Sequence, residues 1–177
     1  MPRPRAVRRW IFLSCAVLAG ALAPPAADGA AKAPVPVAVI VHPQVPVDEL
    51  SLADLRKVFL GQRPVWSSEL MITLLTPPRG SPEREVLLHT IYQQRNETQY
   101  QQYWINQLFA DGAPTVPKGT GSPEMSASLV REIPGAIALV ASDRIPQGVK
   151  VLRIDGKLPG ESGYPLVASG GKPRGGG

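Results

Sequence analysis

LLTPPRGSPEREVLL, residues 74–88, is where the chain changes its pattern from strand to helix. The apolar run Leu70 to Thr76 (LMITLLT) reads as a buried strand. After the corner Pro-Pro-Arg-Gly-Ser, Pro82 stands where a first helical residue tolerates proline. Leu87, Leu88, Ile91 and Tyr92 then form an inward stripe at helical spacing. A strand that hands over directly to a helix is the building unit of an α/β fold. The corner itself, Arg79-Gly80-Ser81, has two readings: a capped turn, or a seat for an anion.

The same alternation continues outward from this point. Pro36 to Pro43 (PVAVIVHP) is continuous and β-branched, as in a strand covered on both faces. Ser51 offers an N-cap to a helix with the stripe Leu52, Leu55, Val58 and Phe59, and Gly61 stops it. Asn96 with Gln99 resembles a capping box for a helix through Phe109, with Tyr100, Trp104 and Leu108 on one face. Ser122 and Pro123 open another, with Met125, Leu129 and Ile133 as its stripe. Pro134-Gly135 is a turn, and Ala136 to Ala141 (AIALVA) and Val149 to Ile154 (VKVLRI) are further buried strands. Strands alternating with helices predict an α/β domain with a mostly parallel sheet flanked by helices. From Asp155 the pattern thins, and residues 167–177 read as a disordered, Gly-rich tail.

Ahead of this domain, Arg3, Arg5, Arg8 and Arg9 precede IFLSCAVLAGALA, an apolar run too short to span a bilayer comfortably. Residues 1–31 therefore read as a secretory signal peptide. Gly29 and Ala31 favour cleavage after Ala31, and cleavage after Ala27 is the next choice. Arg8-Arg9-Trp10-Ile11-Phe12 is similar to a twin-arginine signal, but no Ser or Thr precedes the pair, so ordinary and twin-arginine export both stay open. Cys15, the single cysteine, lies within the apolar run and reads as part of it, which leaves the exported chain without disulfide or thiol chemistry. Fifteen of the nineteen basic residues and thirteen of the fourteen acidic ones follow the leader, a net charge of +2. That balance, without interleaved basic and aromatic residues, argues against a nucleic-acid partner.

Two corners share one design, Arg79-Gly80-Ser81-Pro82-Glu83 and Lys118-Gly119-Thr120-Gly121-Ser122-Pro123-Glu124. A helix start presents unpaired N–H groups and partial positive charge, Ser or Thr adds a hydroxyl, and Arg or Lys adds formal charge. Arg79 weighs toward a ligand, since a cap needs no arginine, and Lys118, Thr120 and Ser122 are supplementary donors. Catalytic chemistry finds no footing: His42 and His89 have no neighbouring Cys or acid at metal-ligand spacing. Glu83 and Glu85 read as acids that favour the helix dipole, not as an acid/base pair. No enzyme activity, metal or cofactor is expected.

The order VAVIVHPQVPVDELSLADLRKVFLGQRPVW, then the Arg-Gly-Ser corner, then PGAIALV, then SGYPL resembles the phosphate-binding proteins of phosphate ABC transporters. The likeness covers about Val37 to Leu166 and is most specific at Leu55 to Gly61 and at Pro134 to Ile137. It implies a type 2 periplasmic-binding-protein fold, represented by its second lobe alone over residues 32–166. By resemblance, Arg79 would match the family's arginine and Ser81 the serine at the helix start, with Gly80 between them. The family's Gly-Thr after that serine is replaced here by Pro82 and Glu83, and its arginine usually stands further ahead. No counterpart of the first lobe lies before Val37. The resemblance thus implies weak binding of phosphate or a similar oxyanion in the periplasm, with a transporter permease, a second copy or another protein completing the cleft. The rival expectation is an interaction module that keeps the fold and has lost the ligand.

Overall fold

The computed structural model describes residues 32–93, 96–111 and 116–170; the expected leader (1–31) and the last part of the expected tail (171–177) lie outside the described residues. The first half contains β1 (Lys32–Val41), β2 (Glu49–Leu50), α1 (Leu52–Phe59), β3 (Val65–Ser67), β4 (Leu70–Met71) and β5 (Thr73–Thr76). Then come α2 (Pro82–Val86), which runs on as a π turn (Leu87–Ile91), α3 (Glu97–Asp111), β6 (Lys118–Gly119) and α4 (Pro123–Glu132). The chain continues with β7 (Ala136–Ala141), a 3₁₀ turn (Ser142–Arg144), β8 (Lys150–Val151), β9 (Arg153–Ile154) and β10 (Val167–Gly170).

The main sheet has the order β10-β1-β7-β5-β6, with β8 beside β1. β5 runs parallel to both β6 and β7, and β1 enters antiparallel to β7, β8 and β10. Successive side chains of a strand point to opposite faces, and this divides the core. Val37, Val39 and Val41 join Leu74, Ile137 and Leu139 beneath α1, the α2–π segment and α3. Ala38 and Ile40 join Leu75, Ala136, Ala138 and Val140 beneath α4. This is the α/β architecture expected from the alternation of strands and helices.

Several local expectations are corrected. The run 70–76 is split, because Leu70–Met71 pairs with β3 while Ile72 donates to the Pro64 carbonyl (2.8 Å) and Thr73 moves over to β7. The run 149–154 is split in the same way: β8 pairs with β1, and β9 pairs parallel with β2. On α4 the inward residues are Ser126, Ala127 and Val130, with Leu129 and Ile133 at the flanks and Met125 exposed. The sheet beneath is lined by alanines, so small helix residues meet it and larger ones lie to the side. Leu108 is exposed on α3, whereas Tyr100 and Trp104 are buried. The disordered tail cannot begin at Val167, since Val167–Gly170 is β10 and pairs with β1, with Ala168 buried.

Helix α1 ends as its sequence requires. Gly61 takes a positive φ of 74°, and N–H groups of Gly61 and Gln62 return to the Val58 and Lys57 carbonyls. The next two carbonyls are met from elsewhere: Tyr92 donates its hydroxyl to Phe59, and Tyr103 donates to Leu60 (2.8 Å). These bonds tie the π turn and α3 to α1. Gly135 is the most crowded glycine among the described residues, with φ 78° and the Met71 carbonyl oxygen only 2.1 Å from where a Cβ would stand. Its own carbonyl accepts from Trp66 Nε1 at 2.9 Å. Gly135→Ala is expected to cost about 3 kcal/mol, read as a fall of roughly 10 °C in Tm.

Candidate functional site

Parallel strands β5, β6 and β7 end at one edge of the sheet, where open α/β sheets generally bind ligands. Thr76, the last residue of β5 and three residues ahead of Arg79, is bonded there to the second Ser-Pro-Glu corner. Its carbonyl accepts from the Thr120 N–H (3.0 Å) and the Thr120 hydroxyl (2.9 Å), and its own hydroxyl donates to the Lys118 carbonyl (3.3 Å). Thr120 is buried, and its oxygen also lies 2.6 Å from Ser126 Oγ. That hydroxyl is committed to tying its corner to the end of β5, so Thr120 is a structural residue here and not the supplementary ligand donor expected.

Ser81 and Ser122 occupy the positions expected of them at helix starts. Ser81 Oγ accepts from the Arg84 N–H (3.1 Å), and Ser122 Oγ accepts from the Met125 N–H (3.1 Å). Pro82 and Pro123 bring no N–H, so each first turn has few backbone donors left for a ligand. Gly80 holds φ 80° with nothing near its would-be Cβ, so the turn's backbone, not crowding, calls for glycine. Two cations face solvent. The Arg79 side chain is 68% exposed, its Nε 3.9 Å from Glu97 Oε2, and Lys118 is exposed on β6.

Glu83 and Glu85 lie in the first helical turn as expected, but the sequence reading missed their partners and passed over Arg84. Arg84 is buried, grips Glu97 with two bonds (Nε to Oε1 2.8 Å, NH2 to Oε2 2.7 Å) and lies over the Tyr100 ring at 4.2 Å. Glu83 is 1% exposed; its Oε1 accepts from the Ala141 N–H at the end of β7 (3.0 Å), and its Oε2 has no hydrogen-bond partner among the described residues. Glu85 accepts from the Ser169 N–H of β10 (2.9 Å). The signal was in the spacing: Glu83, Leu87 and Ile91 recur at four-residue intervals on the stripe that faces inward. At the other corner Glu124 turns back on its own helix start. Its backbone N–H, then the Ser122 hydroxyl, hold its carboxyl below the ordinary 4.5. Each corner therefore carries a carboxylate of its own.

His42 and His89 take the ordinary places expected of them, His42 Nδ1 accepting from the Gln44 N–H (3.2 Å) and His89 exposed in the π turn. Among the described residues no cluster of three or more His, Cys, Asp or Glu could hold a metal, and no helix is long and apolar enough to cross a membrane. A cavity of about 280 Å³ lies between Glu85, His89 and Ser169, and one of about 270 Å³ lies between Trp104, Leu108 and Val116. Neither includes Arg79 or Ser81.

No family model matches the chain, and no curated protein matches it. Solved structures do. An ABC-type phosphate transport receptor from Vibrio cholerae is similar at 17% identity and TM-score 0.57, over 76% of this chain and 54% of that one. PstS from Borrelia burgdorferi is similar at 13% identity and TM-score 0.57, over 77% of this chain and 55% of that one. The phosphate-binding protein from Stenotrophomonas maltophilia is similar at 14% identity and TM-score 0.55, over 76% and 52%. The likeness is one of fold. It is a periplasmic-binding-protein fold, and the chain spans about half the length of the structures it matches.

The Arg84 hydrogen bond is the main cause that holds the Glu97 carboxyl below its ordinary 4.5. A lowered folded value means stability present above 4.5 and lost as pH falls through the lowered value. Glu97→Gln, which leaves buried Arg84 without its counter-charge, is expected to lower unfolding free energy by about 2 kcal/mol at pH 7. Denaturant titrations should show that deficit shrink as the pH is taken below the ordinary carboxylate range.

Proposed function

We propose that the chain is an exported, non-catalytic protein of the periplasm that binds phosphate or a similar oxyanion weakly at the paired corners. Arg79 supplies the main charge, Gly80 and Ser81 the turn and a hydroxyl, and Lys118 a second cation, with Ser122 beside it. The observation that carries this reading is that the end of β5, three residues ahead of exposed Arg79, is bonded to the corner that bears exposed Lys118, at the carboxyl edge of parallel strands. Among the fold neighbours are a phosphate transport receptor and a phosphate-binding protein, which supports the choice of anion. A lone corner pair is open and hydrated, so affinity should be roughly millimolar. A permease, a second copy of the chain or another partner that closed over the edge would raise it.

Calorimetric titration of phosphate in phosphate-free buffer tests the reading. Saturable heat is expected, weakened at least about fivefold in Arg79→Ala and about twofold in Lys118→Ala. Absence of heat in the unmodified protein up to tens of millimolar, or equal affinity in Arg79→Ala, counts against it.

A second reading, an interaction module on the same fold, is favoured by α3. Phe109 is 88% exposed, beside exposed Ile105, Leu108 and Val116. That reading expects sedimentation to rise with concentration or with an added partner, and Phe109→Ser to reduce the effect.

A further inference from the structure

The end of β7 reaches beyond its neighbour. β5 and β7 pair with Thr73 opposite Ala136 and Leu74 opposite Ile137, so Thr76 stands level with Leu139 and the chain then leaves the sheet at Pro77. Among the described residues Ala141 has no strand beside it on that side, and its N–H points into the gap at the carboxyl edge. A backbone donor left in such a gap is what an oxyanion would take. Here the donor is already taken, by Glu83 Oε1 at 3.0 Å.

Glu83 is well suited to hold that place. It sits in the first turn of α2, where the helix favours negative charge, two residues after Ser81. Its side chain is 1% exposed, so its field is little screened by solvent. Among the described residues its second oxygen has no hydrogen-bond partner, which leaves an unmet acceptor two residues after Ser81. At the other Ser-Pro-Glu corner, Glu124 stands exposed, with its Oε1 3.8 Å from Arg144.

We propose that Glu83 is a resident anion: it fills the donor position at the end of β7, keeps an external oxyanion out of it, and so sets the affinity of the corner. This rests on the oxyanion reading above. The ligand is held at the rim by Arg79, Ser81 and Lys118, against the charge of the carboxylate below. Glutamine in place of Glu83 keeps an oxygen for the Ala141 N–H and removes the charge.

The test is phosphate titration into the protein expressed from the full chain and into its Glu83→Gln and Glu85→Gln forms. Glu85 lies in the same turn but bonds to β10, so it controls for loss of charge elsewhere. Glu83→Gln is expected to bind at least about tenfold tighter, and Glu85→Gln to stay within about twofold of the unmodified protein. Equal or weaker binding by Glu83→Gln overturns the resident anion while leaving the oxyanion reading intact. Binding by Glu83→Gln alone supports the resident anion and removes the claim that the natural chain is a working receptor. No binding by either overturns both. Should Glu83→Gln not fold, the unmodified protein gives the answer by amide NMR. Phosphate is expected to shift Gly80 and Ser81 and leave Ala141 in place; a comparable shift at Ala141, or none anywhere, overturns the proposal.

Discussion

Everything in this fold is arranged around the burial of β1. Val37 to Val41 have no exposed surface, so both faces of the strand must be covered and its backbone groups must find partners on both edges. β7 supplies one edge, and β8 and β10 share the other. Even the gap between β8 and β10 is closed, with Leu152 donating to the Val39 carbonyl (2.9 Å) and Tyr164 to the Val37 carbonyl (2.8 Å). Two-sided burial then requires helices above and below. The positions of α1, α2 and α3 on one side and α4 on the other follow from the alternation along that single strand, with Val37, Val39 and Val41 on one face and Ala38 and Ile40 on the other.

The corners at the sheet edge are shaped by a related constraint. Strands of unequal length leave backbone donors and acceptors at their ends, and these must be met from within the chain or by solvent. At β5 the problem is solved by Thr120, and at β7 by Glu83. Both are polar groups with little or no exposure that serve the fold first. What faces solvent is a pair of cations, Arg79 in a short turn and Lys118 on β6. Rigid internal bonding beneath and loosely held charge above is a reasonable design for recognition, but it separates the residues that define the corner from those free to touch a ligand.

This separation explains what could be read in advance. Repetitive features were legible: the β-branched run of β1, the serine caps of α1, α2 and α4, the stripe on α1, and the glycine stops at Gly61 and Gly135. Each depends on residues adjacent in sequence or a few positions apart. The pairing of β1 with β10 across more than a hundred residues left no such trace, and neither did the division of Leu70 to Thr76 between two sheets. The buried roles of Glu83 and Arg84 were partly legible, since helical phase puts Glu83 in line with Leu87 and Ile91. A rule that charged residues at a helix start belong to the dipole concealed it. Thr120 was found for the right chemistry, hydrogen bonding, but its partner is Thr76 of the same chain.

One contact described for α2 has a consequence of another kind. β10 is the outermost strand on its side of the sheet, and an outermost strand with free backbone groups invites a foreign strand to continue the ladder. Glu85 occupies the Ser169 N–H and sets a carboxylate beside that ladder. A chain adding there would have to displace the carboxylate and bury its charge, so the same short helix that shapes the corner at one side guards the protein from fibrous self-association at the other.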